Sequence, residues 1–191
     1  MNRLPLIIAG FPGVGKSEAG RRLPGKVIDL ESSDFHWIVQ PDGKKVAHPE
    51  WPDNYIRAIK ALALETEGLK NYKDLEFICI STHAEVLSRL QDDCIGFFVA
   101  YTTATKETMI KRYIDRGNTP EFVEKLFANY DAWIENIKAH DEWHKLVIDE
   151  NAFLGDFLAL DDAWDIIMDS IADDNMTINF NVVNPKNDSA V

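Results

Sequence analysis

The chain has 191 residues and a mass of 21.7 kDa, enough for one compact α/β domain with a real core and too little for two comfortable ones. Its composition is that of a globular protein, with 46% hydrophobic and 27% charged residues, but 32 acidic against 20 basic residues leave a net charge of -12. A field of that sign repels long nucleic acid and anionic membrane surfaces, and no run approaches the ~18 uncharged apolar residues of a membrane-spanning helix.

In chain order, Leu4–Ala9 is a short continuous apolar run, the pattern of a parallel strand covered on both faces. It leads straight into a glycine loop with Lys16, which favours a first strand over a secretory signal. Ser17–Leu23 follows as a helix, and Lys26–Leu30 is a second strand after the Pro24-Gly25 break. Between Asp34 and Pro52 the turn signal Pro41-Asp42-Gly43 separates two β-like runs, Trp37–Gln40 and Lys45–Ala47, which predicts an inserted hairpin or loop. Asp53–Glu67 is a helix with Ile56, Ile59, Ala63 and either Leu62 or Leu64 on one stripe.

Leu75–Ser81 is the third strand, Ala84–Asp92 a helix and Ile95–Tyr101 the fourth strand. Lys106–Arg116 is helical, and Thr119-Pro120 supplies an N-cap with proline in the first turn of a helix that runs to about Ala139. Lys145–Asp149 is a fifth strand, and a last helix covers about Leu160–Ile171. The alternation predicts one five-stranded parallel sheet with helices on both faces, in a single domain over 1–172. The tail 173–191 alternates Ile178, Phe180 and Val182 and reads as an edge strand or as a disordered end. Cys79 and Cys94 fall in apolar strand-like runs without metal-ligand spacing, which predicts two buried thiols in a reducing compartment and a cytoplasmic protein.

Gly10-Phe11-Pro12-Gly13-Val14-Gly15-Lys16-Ser17 matches G-x-x-x-x-G-K-[ST] in full, after a predicted strand and before a predicted helix. Gly10 lets the chain leave the strand sharply. Gly13 and Gly15 remove side chains, so that backbone N–H groups, that of Val14 included, surround a phosphate. The helix adds its positive end, Lys16 reaches the β- and γ-phosphates, and the Ser17 hydroxyl suits Mg²⁺.

The first strand, this loop and the length resemble the small P-loop kinases of the nucleoside monophosphate kinase-like group, of which short forms are common in phage genomes. The resemblance implies a three-layer P-loop fold with ATP and Mg²⁺, an acceptor-binding insertion after strand two (34–70), and an arginine-bearing lid after strand four (106–125). In the lid segment Glu107 and Lys111, and Lys111 and Asp115, form helix pairs at i,i+4. Arg112 and Arg116 share a face with no acid in their row, which suits an outside phosphoryl group, and Gly117-Asn118 would supply a hinge.

On the acceptor side Asp34 is placed to orient or deprotonate an acceptor or to hold a Mg²⁺-bound water, with Asp29 as the alternative. Arg57 is placed to hold an acceptor phosphate or carboxylate, and His83 to contact a phosphate. His48, Trp51 and Tyr55 surround the entrance of the helix, where Trp51 or Phe35 could stack on a base. The third strand ends Ser81-Thr82-His83, so the carboxylate that many P-loop enzymes place there for the metal shell is missing.

The leading expectation is therefore ATP-dependent phosphoryl transfer to a (deoxy)nucleoside monophosphate, with Lys16, Arg112, Arg116 and Asp34 catalytic and the protein a monomer or homodimer. The alternatives are a kinase acting on a hydroxyl of a metabolite or modified nucleotide, and a regulatory nucleotide-binding protein without transfer.

Overall fold

The computed structural model describes residues 3–64, 72 and 74–181. Strand β1 (Leu6–Gly10) runs through the glycine loop into helix α1 (Lys16–Arg22), and β2 (Val27–Asp29) follows. A short helix α2 (Ser33–His36) leads into a hairpin, β3 (Trp37–Val39) and β4 (Lys45–Ala47), and then into α3 (Asp53–Leu64). Next come β5 (Phe77–Ser81), α4 (Ala84–Asp92), β6 (Phe98–Thr102), α5 (Lys106–Asp115) and α6 (Pro120–Ala139). The chain closes with β7 (His144–Ile148), α7 (Leu154–Leu158), α8 (Ala163–Ala172) and β8 (Thr177–Phe180).

The main sheet has six strands in the order β2-β5-β1-β6-β7-β8, and every pairing between neighbours is parallel. The expected five strands are thus joined by a sixth from the tail. Ile178 and Phe180 turn inward beside Leu146 and Ile148, and this period-2 pattern pairs β8 in register with β7. Val182 and Val183 lie outside the described residues, as does the end of the predicted helix past Leu64. β1 lies between β5 and β6, so the strand order reverses at its carboxyl end, the place where open α/β sheets form a ligand crevice.

Each face of the sheet has its own apolar layer. On one face Ile59 of α3, Leu87 and Leu90 of α4, Met109 of α5 and Leu126 of α6 cover Ile78, Ile80 and Val99. On the other, Ala19 of α1, Leu154 and Phe157 of α7 and Ile167 of α8 cover Ile8, Cys79 and Ile148. In α3 it is Leu62, not Leu64, that joins the stripe; Leu64 faces solvent.

Two local expectations differ. Cys79 is buried, but Cys94 is exposed, because β6 begins only at Phe98 and Cys94 sits at φ 55 in the turn that ends α4. The last predicted helix, about Leu160–Ile171, is found at Ala163–Ala172, and an additional helix precedes it at Leu154–Leu158, too short to show a helical period in sequence. Among the described residues no helix is long and apolar enough to cross a membrane.

Candidate active site

The glycine loop is fastened to both apolar layers by the residues its motif leaves unspecified. Phe11 is buried in the α3–α6 layer and meets Tyr130 edge-on at 5.5 Å and Trp133 at 6.4 Å. Val14 is buried in the opposite layer. Such aromatic pairs contribute ~0.5–1.5 kcal/mol beyond area burial, so the loop is held in shape before any ligand arrives. Backbone bonds add to this: Phe11 N–H donates to Ala100 O (2.8 Å), Val14 N–H to Phe11 O (3.1 Å), and Leu154 N–H to Val14 O (2.8 Å).

The amides of Gly13, Gly15, Lys16 and Ser17 have no backbone acceptor. Gly15 reaches φ 108, which only glycine tolerates easily, at the N-cap of α1. An array of unpartnered amides at a helix N-terminus is an anion cradle. The single observation that ties Lys16 to it is that its ammonium donates to Gly10 O at 2.7 Å, folded back along its own loop. Burial lowers the Lys16 pKa, with Asp29 the largest influence in the other direction.

Asp29 lies at the carboxyl end of β2, within electrostatic reach of Lys16. Its Oδ1 is buried without a hydrogen-bond partner. Burial raises its pKa, and the Ser17 hydroxyl and the Lys16 charge oppose that rise. A hard oxygen set of hydroxyl and carboxylate, with one carboxylate oxygen left over, fits Mg²⁺ and its water shell. Glu31 also bears on Lys16. Asp34 does not figure in that field; it lies exposed in the first turn of α2. The sequence offered Asp29 only as the alternative to Asp34, inside a strand running to Leu30; the structure ends β2 at Asp29, one strand away from β1.

The two lid arginines fall near the loop. Arg112 donates to Glu150 O and stands 4.8 Å over the Phe153 ring, and Phe153 in turn packs against Gly15. Arg116 caps the end of α5 within electrostatic reach of Lys16 and Asp29. Among the described residues neither arginine, nor Lys16, has a carboxylate within ion-pair distance, whereas the neighbouring Lys106 and Lys111 pair with Asp131 and Asp115. Lys125 of α6, which the sequence did not single out, bears electrostatically on His83.

The acceptor side is assembled differently. Trp37, His36, Trp51 and Tyr55 form a column of rings: His36 stacks on Trp37 at 4.3 Å and on Trp51 at 4.4 Å, and Trp51 on Tyr55 at 5.5 Å. Both faces of Trp51 are thereby filled, so it is not open to a base as the sequence suggested, while Phe35 is half-buried and packs on Tyr55 at 5.1 Å. Trp51 Nε1 donates to Glu85 Oε1 at 3.1 Å. Tyr55 Oη donates to Leu30 O (2.6 Å) and accepts from Ser81 N–H (3.2 Å), which ties the ends of β2 and β5 together under the crevice.

His83 sits edge-on to Trp51 at 5.3 Å, its Nδ1 2.7 Å from Ser81 Oγ. Burial lowers its pKa, with Glu85 pulling the other way. Arg57 stays apart from this group. It is exposed, forms an ion pair with Glu50 and lines a shallow hollow with Asp53, Lys60 and Arg89. Arg116 thus lies within electrostatic reach of Lys16, Arg112 borders the loop through Phe153, and Arg57 stands apart from both. A separate concavity of about 670 Å³ between α6 and the ends of β6 and β7 shares no residue with the loop.

A parallel sheet with this strand order, a phosphate-type loop at the reversal point and cations on the following helices define a P-loop kinase-like fold. The fold is similar to that of the Deinococcus radiodurans tunicamycin resistance protein, with a TM-score of 0.51 and 16% sequence identity over 94% of this chain and 100% of that one. No protein-family model matches the sequence, and no curated protein matches it.

Proposed function

We propose that the protein transfers the γ-phosphoryl group of ATP to a hydroxyl of a small molecule that carries no phosphate of its own. The observation that carries the acceptor half is the ion pair of Arg57 with Glu50. It neutralises the arginine best placed in sequence to grip an acceptor phosphate, while the groups bordering Lys16 on that side are the acids Asp29 and Glu31. The fold neighbour is named for resistance to tunicamycin, which suits a small-molecule acceptor.

The free amides of the loop and Lys16 bind the phosphate chain of ATP. Mg²⁺, when bound, draws charge from the phosphate oxygens, and Ser17 and Asp29 are the residues that would hold it. Arg116 faces the transferring group and offsets its developing charge, and Arg112 with Phe153 borders the nucleoside end. Glu31 takes the proton of the acceptor hydroxyl, and Asp34 stands further out. Little covalent chemistry falls to the protein, so positioning and charge supply the rate.

A second reading keeps the nucleoside monophosphate as acceptor. Lys125 and His83 favour it, since together they could face an acceptor phosphate in place of Arg57. ADP release with MgATP and two panels separates the two: phosphate-free hydroxyl compounds are expected to stimulate release, and stimulation by nucleoside monophosphates alone overturns the hydroxyl acceptor. MgATP binding without stimulation by either panel supports instead a nucleotide-binding protein that does not transfer.

A further inference from the structure

Tyr113 is a buried polar group that the transfer scheme leaves unused. Its side chain is 2% exposed, and its hydroxyl is buried with no hydrogen-bond partner. It lies on α5, on the turn between Arg112 and Arg116, and points at the glycine loop. A Cβ placed on Gly13 would come within 2.4 Å of Tyr113 Oη and 2.6 Å of Met109 Cε, and Gly13 itself holds φ 78. Phe122, in the first turn of α6, meets the Tyr113 ring edge-on at 5.5 Å. The phenol is therefore wedged between the phosphate loop and the lid helices.

Leaving a buried hydroxyl unpartnered costs about 1–3 kcal/mol. The titratable groups that bear on it are Arg116, Tyr130 and Arg112: the arginines carry donors only, and the Tyr130 hydroxyl, which donates to Ala104 O, makes no hydrogen bond with it. What the hydroxyl lacks is an acceptor, in surroundings that favour an anion. A phosphate oxygen is an anionic acceptor with no competing donor. Burial also pushes the phenol pKa upward, so it remains a donor at any working pH.

We propose that Tyr113 Oη donates a hydrogen bond to an oxygen of the donor's phosphate chain, coupling occupancy of the glycine loop to the seating of α5. This rests on the loop being a triphosphate site. The test is calorimetric titration of the wild type and Tyr113→Phe with MgATP and with magnesium tripolyphosphate, alongside thermal midpoints without ligand. The variant is expected to melt at the same temperature or higher, having lost an unpartnered hydroxyl. It is also expected to bind both ligands about tenfold more weakly, equivalent to ~1.4 kcal/mol.

Affinities within twofold of wild type for both ligands overturn the proposal and leave the loop's role intact. Weakening with MgATP alone also overturns it, because the contact then lies on the nucleoside. So does a midpoint several degrees lower, which marks a structural hydroxyl. If wild type binds neither ligand, the triphosphate site falls and this proposal with it.

Discussion

On one side of the crevice the cations are unspent. Lys16 bonds only a carbonyl of its own loop, and Arg112 and Arg116 have no carboxylate partner among the described residues of a chain with net charge -12. On the other side Arg57 already has Glu50, and the space is filled by a stack of His36, Trp51 and Tyr55. Among the described residues Arg21, Lys45, Lys125 and Lys145 also lack a carboxylate partner, so what marks the loop side is that Lys16, Arg112 and Arg116 are all three unpaired beside it. The acceptor side is stabilised by its own contacts and offers acids and rings instead. A charged donor and an acceptor recognised by shape and hydroxyl groups would leave this contrast.

The contrast can be broken at its strongest point first. Lys16→Ala is expected to lower turnover by roughly 10²–10³-fold, the scale for losing one transition-state donor. Circular dichroism should show the fold intact, because Lys16 makes no bond outside its loop. An active Lys16→Ala protein would remove the reason for treating the loop side as the donor side.

Asp29→Asn comes next, with turnover expected to fall roughly 10–100-fold at fixed Mg²⁺. The same change carries a pH signature in the unliganded protein. Burial raises the folded pKa of Asp29 above the ordinary aspartate value of 3.8, so the fold binds this proton more tightly than the unfolded chain does. The stability contributed by the neutral form is complete below that value and is lost as pH rises through the folded pKa. Asn cannot ionise, so the variant should melt higher than wild type at pH 7, and the gap should close on acidification. A lower midpoint at pH 7 would show that the carboxylate is already well compensated without metal.

Tyr55→Phe addresses the opposite side through stability. Removing the hydroxyl leaves Leu30 O and Ser81 N–H without it, at about 1–3 kcal/mol for each group left unpartnered. Chemical denaturation should report that loss; an unchanged midpoint would mean that β2 and β5 are joined well enough without the phenol. Arg57→Ala carries the smallest effect. An exposed ion pair contributes ~0–1 kcal/mol, and no change in acceptor KM is expected. A tenfold rise in acceptor KM would return Arg57 to the site and favour the monophosphate acceptor.

The donor half was legible because its chemistry is written in consecutive residues. Gly10 to Ser17 specify a turn, an amide cradle and a cation within one loop, and the Arg112/Arg116 row shows on a single helix. Asp29 was harder to place, since its role depends on β2 lying next to β5 and on Ser17 facing it across the loop, a relation between segments that no local pattern encodes. Trp51 was misjudged for the same reason: an aromatic at a helix entrance looks available until His36 and Tyr55 are seen to cover both its faces. α7 escaped because five residues are too few to display a helical period, and the alternation at Ile178 and Phe180 left β8 open between an edge strand and a disordered end until its pairing with β7 is seen.

The decisive measurement is the phosphorus NMR spectrum of the product formed from ATP and the best acceptor of the screen. A new phosphomonoester resonance without phosphorus–phosphorus coupling is expected for transfer to a hydroxyl. A coupled pair of phosphoanhydride resonances beyond those of ADP would show transfer to an acceptor phosphate and contradict it.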